Sequence, residues 1–184
     1  MVELQTDDRL MQLLQWLAIA LTAISMFVIL DISLAWFRLR NHAHIETVED
    51  AKPEIAHDLK CLIADISAAA EIPAPSLFIR RAAMPNAFVA AAISRPELYL
   101  TDELLEQCDH SLDKLTKVIC HEIAHIQRGD ELKLGLLNYG ARWSNKLTLI
   151  GLENTFLSAI NNIEDATDKQ AEVIFQRLID SEAA

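Results

Sequence analysis

Residues Leu10 to Leu30 form 21 consecutive positions without a charged side chain. As a helix that run reaches roughly 31 Å at 1.5 Å per residue, enough to cross the hydrocarbon core of a bilayer. Gln12, Gln15 and Thr22 interrupt it, which leaves a buried or surface-lying amphipathic helix as the alternative. The expected element is a transmembrane helix over about residues 10–30. Beyond it the apolar residues become periodic. From Pro53 to Ala70, Ile55, Leu59, Leu62, Ile63 and Ile66 share one face at helical spacing, with Pro53 near the first turn. Pro73 and Pro75 stop that helix, because neither can continue the hydrogen-bond ladder. Between Ser76 and Thr101 the pattern shortens to Leu77-Phe78-Ile79, Ala87-Phe88-Val89 and Leu98-Tyr99-Leu100, separated by Pro85-Asn86 and Arg95-Pro96. This predicts a small three-stranded sheet. Thr101 or Asp102 then caps a short helix through Leu104 and Leu105. A longer helix starts near Ser111, with Leu115, Val118, Ile119 and Ile123 as its apolar positions, and stops at Gly129. Leu132, Leu134, Leu136 and Leu137 open a further helical stretch, and the rest reads as two or three helices, the last over about Ala159–Ile179. The fold class is α+β, mainly α: a membrane-helix segment, residues 1–40, followed by one domain, residues 41–184.

Composition agrees with this reading, since 52% hydrophobic residues with only 6% aromatic, 4 Gly and 5 Pro suit an Ala/Leu/Ile-rich helical protein. The net charge is −11, and residues 41–184 alone carry 13 Lys and Arg against 23 Asp and Glu, which argues against a nucleic-acid partner. Cys61, Cys108 and Cys120 are odd in number and widely spaced, so they form neither a disulfide framework nor a thiolate metal site. The flank Glu3, Asp7, Asp8, Arg9 is acidic and no small-residue cleavage site follows the apolar run, so the run reads as a retained anchor rather than a cleaved leader. Arg38 and Arg40 follow it, and the positive-inside rule then places the C-terminal domain in the cytoplasm of a single-pass membrane protein.

The chemistry is concentrated in His121-Glu122-Ile123-Ala124-His125. Two imidazoles at i and i+4 lie on one helix face and can reach one tetrahedral zinc. Glu122 sits about 100° around the helix from His121, beside the open coordination position. It is placed as the general base that takes a proton from metal-activated water and passes it to the leaving amine of a peptide. The other reading is a solvated helix that matches the pattern by chance, and the helical context of the motif favours the metal reading over it. A third ligand is sought in Glu164-Asp165-Ala166-Thr167-Asp168. Either Glu164 binds zinc while Asp168 accepts the far N–H of a ligating histidine, or Asp168 binds and Glu172 stands behind it. A merely solvated acidic face is the third possibility.

The segments Ile72-Pro73-Ala74-Pro75, Pro85-Asn86-Ala87-Phe88, Leu98-Tyr99-Leu100-Thr101 and His121 to Asp130 resemble the HtpX-like and CAAX-prenyl-protease-like membrane zinc metallopeptidases, gluzincins of HExxH type, over about residues 60–180. The family's Glu-x-x-Ala-Asp stretch departs here, because Glu164 to Asp168 has Thr167 in place of the alanine, while Asp168 to Glu172 keeps Ala171 and exchanges the acids. Several membrane spans are usual in that family, against one candidate here. The resemblance implies a zincin-like endopeptidase with one Zn2+ per chain, acting on polypeptides that are unfolded or membrane-associated. In such a protein the strand at Asn86-Ala87-Phe88 borders the cleft and pairs with an extended substrate. The alternative function is a membrane-bound sensor or regulatory module that keeps the zincin fold. A purely structural adaptor is disfavoured by Glu122, since a structural zinc site closes all four positions. His42 and His44 read as a polar loop, His57 and His110 as solvated, and Cys120 as a core residue. His110, Tyr139 and Arg142 are oxyanion candidates that the sequence alone does not bring to the zinc, and nothing in it fixes an oligomeric state.

Overall fold

The computed structural model describes residues 3–40, 45–90, 95–108, 111–146 and 152–183. It divides into two compact units, Met1–Ala43 and His44–Ala184. The first is a single helix, α1 (Glu3–Arg40), which extends past the apolar run at both ends. Among the described residues, Arg9–Asp31 is the one stretch long and apolar enough to cross a membrane, and none of it is buried. Leu13, Leu14, Trp16 and Leu17 are all exposed, so the apolar surface runs round the helix instead of forming the single stripe of an amphipathic one. The hydroxyls of Thr22 and Ser25 each donate back to the carbonyls of Ala18 and Leu21 at 2.8 Å. Such groups carry their own partners and oppose an apolar medium little.

The second unit opens with β1 (Ile45–Thr47) and a short α2 (Val48–Ala51), then α3 (Ala56–Ala69). Helix α3 buries Leu59, Ile63 and Ile66, the stripe its spacing requires. It starts at Ala56 because residues 53–55 form a turn. It ends at Ala69, and two residues on Glu71, with a left-handed φ of 59°, turns the chain just ahead of Pro73. Next come β2 (Ser76–Arg80), β3 (Ala87–Ala90) and β4 (Glu97–Thr101). The sheet has four strands in the order β1-β2-β4-β3, not the three expected from sequence. The addition is β1, which pairs antiparallel with β2 from Ile45 opposite Arg80 to Thr47 opposite Phe78. Three residues, Ile-Glu-Thr, are too few to show an alternating pattern, and the strand exists only because β2 offers it an edge.

Strand β4 runs parallel to β2 and antiparallel to β3. Leu98 and Leu100 point into the core and are fully buried. On the opposite face Tyr99 stacks between Phe78 at 5.4 Å and Phe88 at 4.9 Å, so one ring from each of three neighbouring strands ties the sheet together.

Thr101 caps α4 (Asp102–Gln107), its hydroxyl accepting the Leu104 N–H. Helices α5 (Leu112–Arg128), α6 (Glu131–Lys146) and α7 (Leu152–Glu182) follow. Gly129 ends α5 in the left-handed region at φ 63°, where any other residue meets a Cβ penalty. Leu115, Ile119 and Ile123 of α5 are fully buried with Ile174 of α7, Leu59 and Ile66 of α3, and the inner face of the sheet, in one core. Helix α7 packs on both α5 and α6. It begins earlier than the expected Ala159, because packing along α6 sustains a stretch rich in Asn, Thr and Ser that propensity alone would leave irregular. Gly140 makes that approach possible, since a Cβ there would lie 2.8 Å from the Phe156 ring.

Candidate metal centre

Helix α5 is strongly two-faced: Ile119, Ile123 and Ala124 face the core, and His121 and Glu122 lie at its border. His121 and His125 are one turn apart with their rings nearly perpendicular, centroids 4.8 Å apart. Their Nε2 atoms come within 3.2 Å of each other. Glu164, projecting from α7, places Oε2 3.4 Å from each of these nitrogens. Tetrahedral zinc with ligand bonds of about 2.0–2.2 Å sets neighbouring donor atoms about 3.3–3.6 Å apart, so the triangle already has nearly the size such an ion requires.

The nitrogens behind the triangle are also engaged. His121 Nδ1 lies 2.9 Å from Asp168 Oδ1, and His125 Nδ1 lies 3.4 Å from Thr167 Oγ1. A carboxylate only accepts, so the proton of neutral His121 belongs on Nδ1 and its Nε2 lone pair is bare. Burial pushes the His125 imidazole below its ordinary value, against the pull of Glu164, and favours the neutral ring as well. Two imidazole nitrogens and a carboxylate oxygen converging within 3.4 Å form a cluster that could hold a metal ion. The donor set of two imidazoles and one carboxylate fits zinc.

Of the residues singled out in the sequence, His121, His125 and Glu164 come together in this cluster, and Asp168 lies on the far nitrogen of His121. Glu172 is exposed, and its charge bears on Cys120. That thiol is buried, and desolvation, with a smaller contribution from Glu172, raises it to about 11. It is therefore an inert core thiol at neutral pH. His57 is exposed on α3, 3.7 Å from Cys61. His42, His44 and His110 lie outside the described residues. The Tyr139 hydroxyl is buried without a hydrogen-bond partner among the described residues, and its ring leans toward Trp143 at 6.1 Å. Arg142 is exposed.

Glu122 accepts a hydrogen bond from the Val89 backbone in β3 and interacts electrostatically with His121 and Glu164. Burial pushes its carboxyl up to about 7, against the opposing effects of His121 and a hydrogen bond from the Val89 backbone N–H, while Glu164 adds to the rise. That contact follows from strand register. The Thr101 N–H donates to the Asn86 carbonyl at 3.0 Å, so residues 86, 88 and 90 turn their peptide groups inward to β4, and Ala87 and Val89 turn theirs to the outer edge. Strand β3 is terminal in the sheet order, and its outer edge faces α5.

Sequence reasoning missed three contributors. Val89 acts through its backbone and leaves no trace in residue identity. Thr167 showed only as a departure from a family pattern. Gln127 donates to the Ala70 carbonyl at 2.6 Å and accepts from Gln170 Nε2 at 2.6 Å. This clamp holds α3, α5 and α7 in register beside the cluster, and two isolated glutamines give no such signal.

Two histidines and a glutamate able to hold a metal ion meet here, and the comparison with known families covers the same part of the chain. In keeping with its HtpX-like resemblance, the chain matches the model of peptidase family M48 over residues 53–179, from the turn before α3 nearly to the end of α7, and it belongs to that family.

Proposed function

We propose that the chain is a zinc-dependent metalloendopeptidase, held in a membrane by α1, with residues 41–184 as the peptidase domain. Membership of the family implies metalloprotease activity and zinc dependence in general. The observation that carries the finer reading is the triangle of His121 Nε2, His125 Nε2 and Glu164 Oε2, with sides of 3.2, 3.4 and 3.4 Å and Glu122 next to it. These three atoms would hold one Zn2+. When bound, the ion supplies Lewis acidity that polarises water and the carbonyl under attack. Asp168 orients His121. Glu122 is the general base: its carboxylate takes the proton of the attacking water and gives it to the departing amine.

An extended peptide would add to the outer edge of β3, where Ala87 and Val89 turn their peptide groups away from β4. Strand addition needs a substrate backbone that is extended and unpaired, which favours unfolded or membrane-associated polypeptides over folded domains. The all-round apolar surface of α1 supports a spanning helix. Arg38 and Arg40 at its end support a cytoplasmic peptidase domain.

The test uses the detergent-solubilised chain, its metal content and casein as an unfolded substrate. The expected result is about one zinc per chain, cleavage that stops when a chelator removes the metal, and recovery on adding zinc. Zinc without cleavage would favour the sensor alternative, and no zinc under metal-replete conditions would dismiss the metal centre. Membrane anchoring is checked separately: the chain should stay in the pellet of carbonate-washed membranes, and release into the wash would refute a spanning α1.

A further inference from the structure

We infer that Thr167 is a positioning residue of the metal centre, whose hydroxyl holds His125 in the tautomer that leaves Nε2 bare for zinc. The inference rests on the zinc reading above. Thr167 is fully buried and stands between two partners. Its Oγ1 lies 3.0 Å from the Ile163 carbonyl one turn back along α7 and 3.4 Å from His125 Nδ1. A hydroxyl has one proton and a carbonyl can only accept, so that proton goes to Ile163. The oxygen is left to act toward His125 as an acceptor alone. Nδ1 must then carry the hydrogen, and the neutral ring keeps its lone pair on Nε2, 3.2 Å from the matching lone pair of His121.

Asp168 does the same for His121. One turn of α7 therefore supplies a carboxylate for the ion at Glu164 and a separate acceptor behind each histidine, at Thr167 and Asp168.

The experiment measures zinc affinity of the detergent-solubilised full chain by competition with a chromophoric chelator. Thr167→Val keeps the branched shape and removes the acceptor. It is expected to weaken zinc binding about 10–100-fold, the usual effect of losing a partner behind a ligand. Thr167→Ser keeps the hydroxyl and is expected to bind zinc like the wild type. Thermal unfolding of the metal-free proteins should be alike in wild type and Thr167→Val, which assigns the loss to the site and not to the fold. Wild-type affinity in Thr167→Val would overturn the inference. Equal weakening in the Val and Ser variants would overturn it too, by making Thr167 a packing residue. Failure of the wild type itself to bind zinc would overturn the metal reading and the inference with it, an outcome distinct from the other two.

Discussion

Glu122→Gln is expected to lower peptide cleavage by about 10²–10⁴-fold, the range for losing a general base, while zinc content stays at the wild-type level. The amide is nearly isosteric with the acid and cannot take a proton from water, so binding and chemistry separate in this variant. Casein cleavage and metal content of the same preparations give the readout; a variant that cleaves at the wild-type rate would remove Glu122 from the reaction. A second consequence concerns the metal-free fold. The folded carboxyl is raised from an ordinary 4.5 to about 7, mainly by burial. Ionising it therefore opposes folding, and its stabilising share is full below the ordinary value and lost as pH rises through about 7. Metal-free wild type should lose stability across that window, and metal-free Glu122→Gln should lose less, which urea unfolding at the two ends of the window would reveal.

The next largest effect is a contrast between two acids four residues apart. Glu164→Ala removes a donor from the converging triangle and is expected to weaken zinc binding by more than about 100-fold. Asp168→Ala removes only the acceptor behind His121 and should cost about 10–100-fold. The same chelator competition measures both. The opposite order would return the ligand role to Asp168, the alternative register that the sequence leaves open.

The two registers look alike in sequence for a geometric reason. Residues four apart on a helix differ by only about 40° around its axis, so Glu164 and Asp168 share a face and either could be turned toward α5. What separates them is height along that face, set by the core contacts of Ile174 and by the clamp of Gln127 and Gln170. None of that is periodic. The pair His121 and His125, by contrast, is legible because helix geometry alone brings i and i+4 together. Strands β2 to β4 were readable from their apolar runs, whereas β1 borrows its structure from a neighbour. The early start of α7 comes from packing with α6, and the role of Val89 comes from a backbone N–H that every residue but proline possesses.

The supply of Glu164, Thr167 and Asp168 from one turn of α7 bears on how the enzyme comes into being. His125 and Thr167 are 42 residues apart, and synthesis proceeds from the N-terminus. A nascent chain carrying the complete HExxH helix thus has two histidines without their third donor and without either acceptor behind them. Every missing piece arrives together when α7 docks. On the zinc reading proposed above, the donor set would be completed only when α7 docks on α5, in the same event as the tertiary fold.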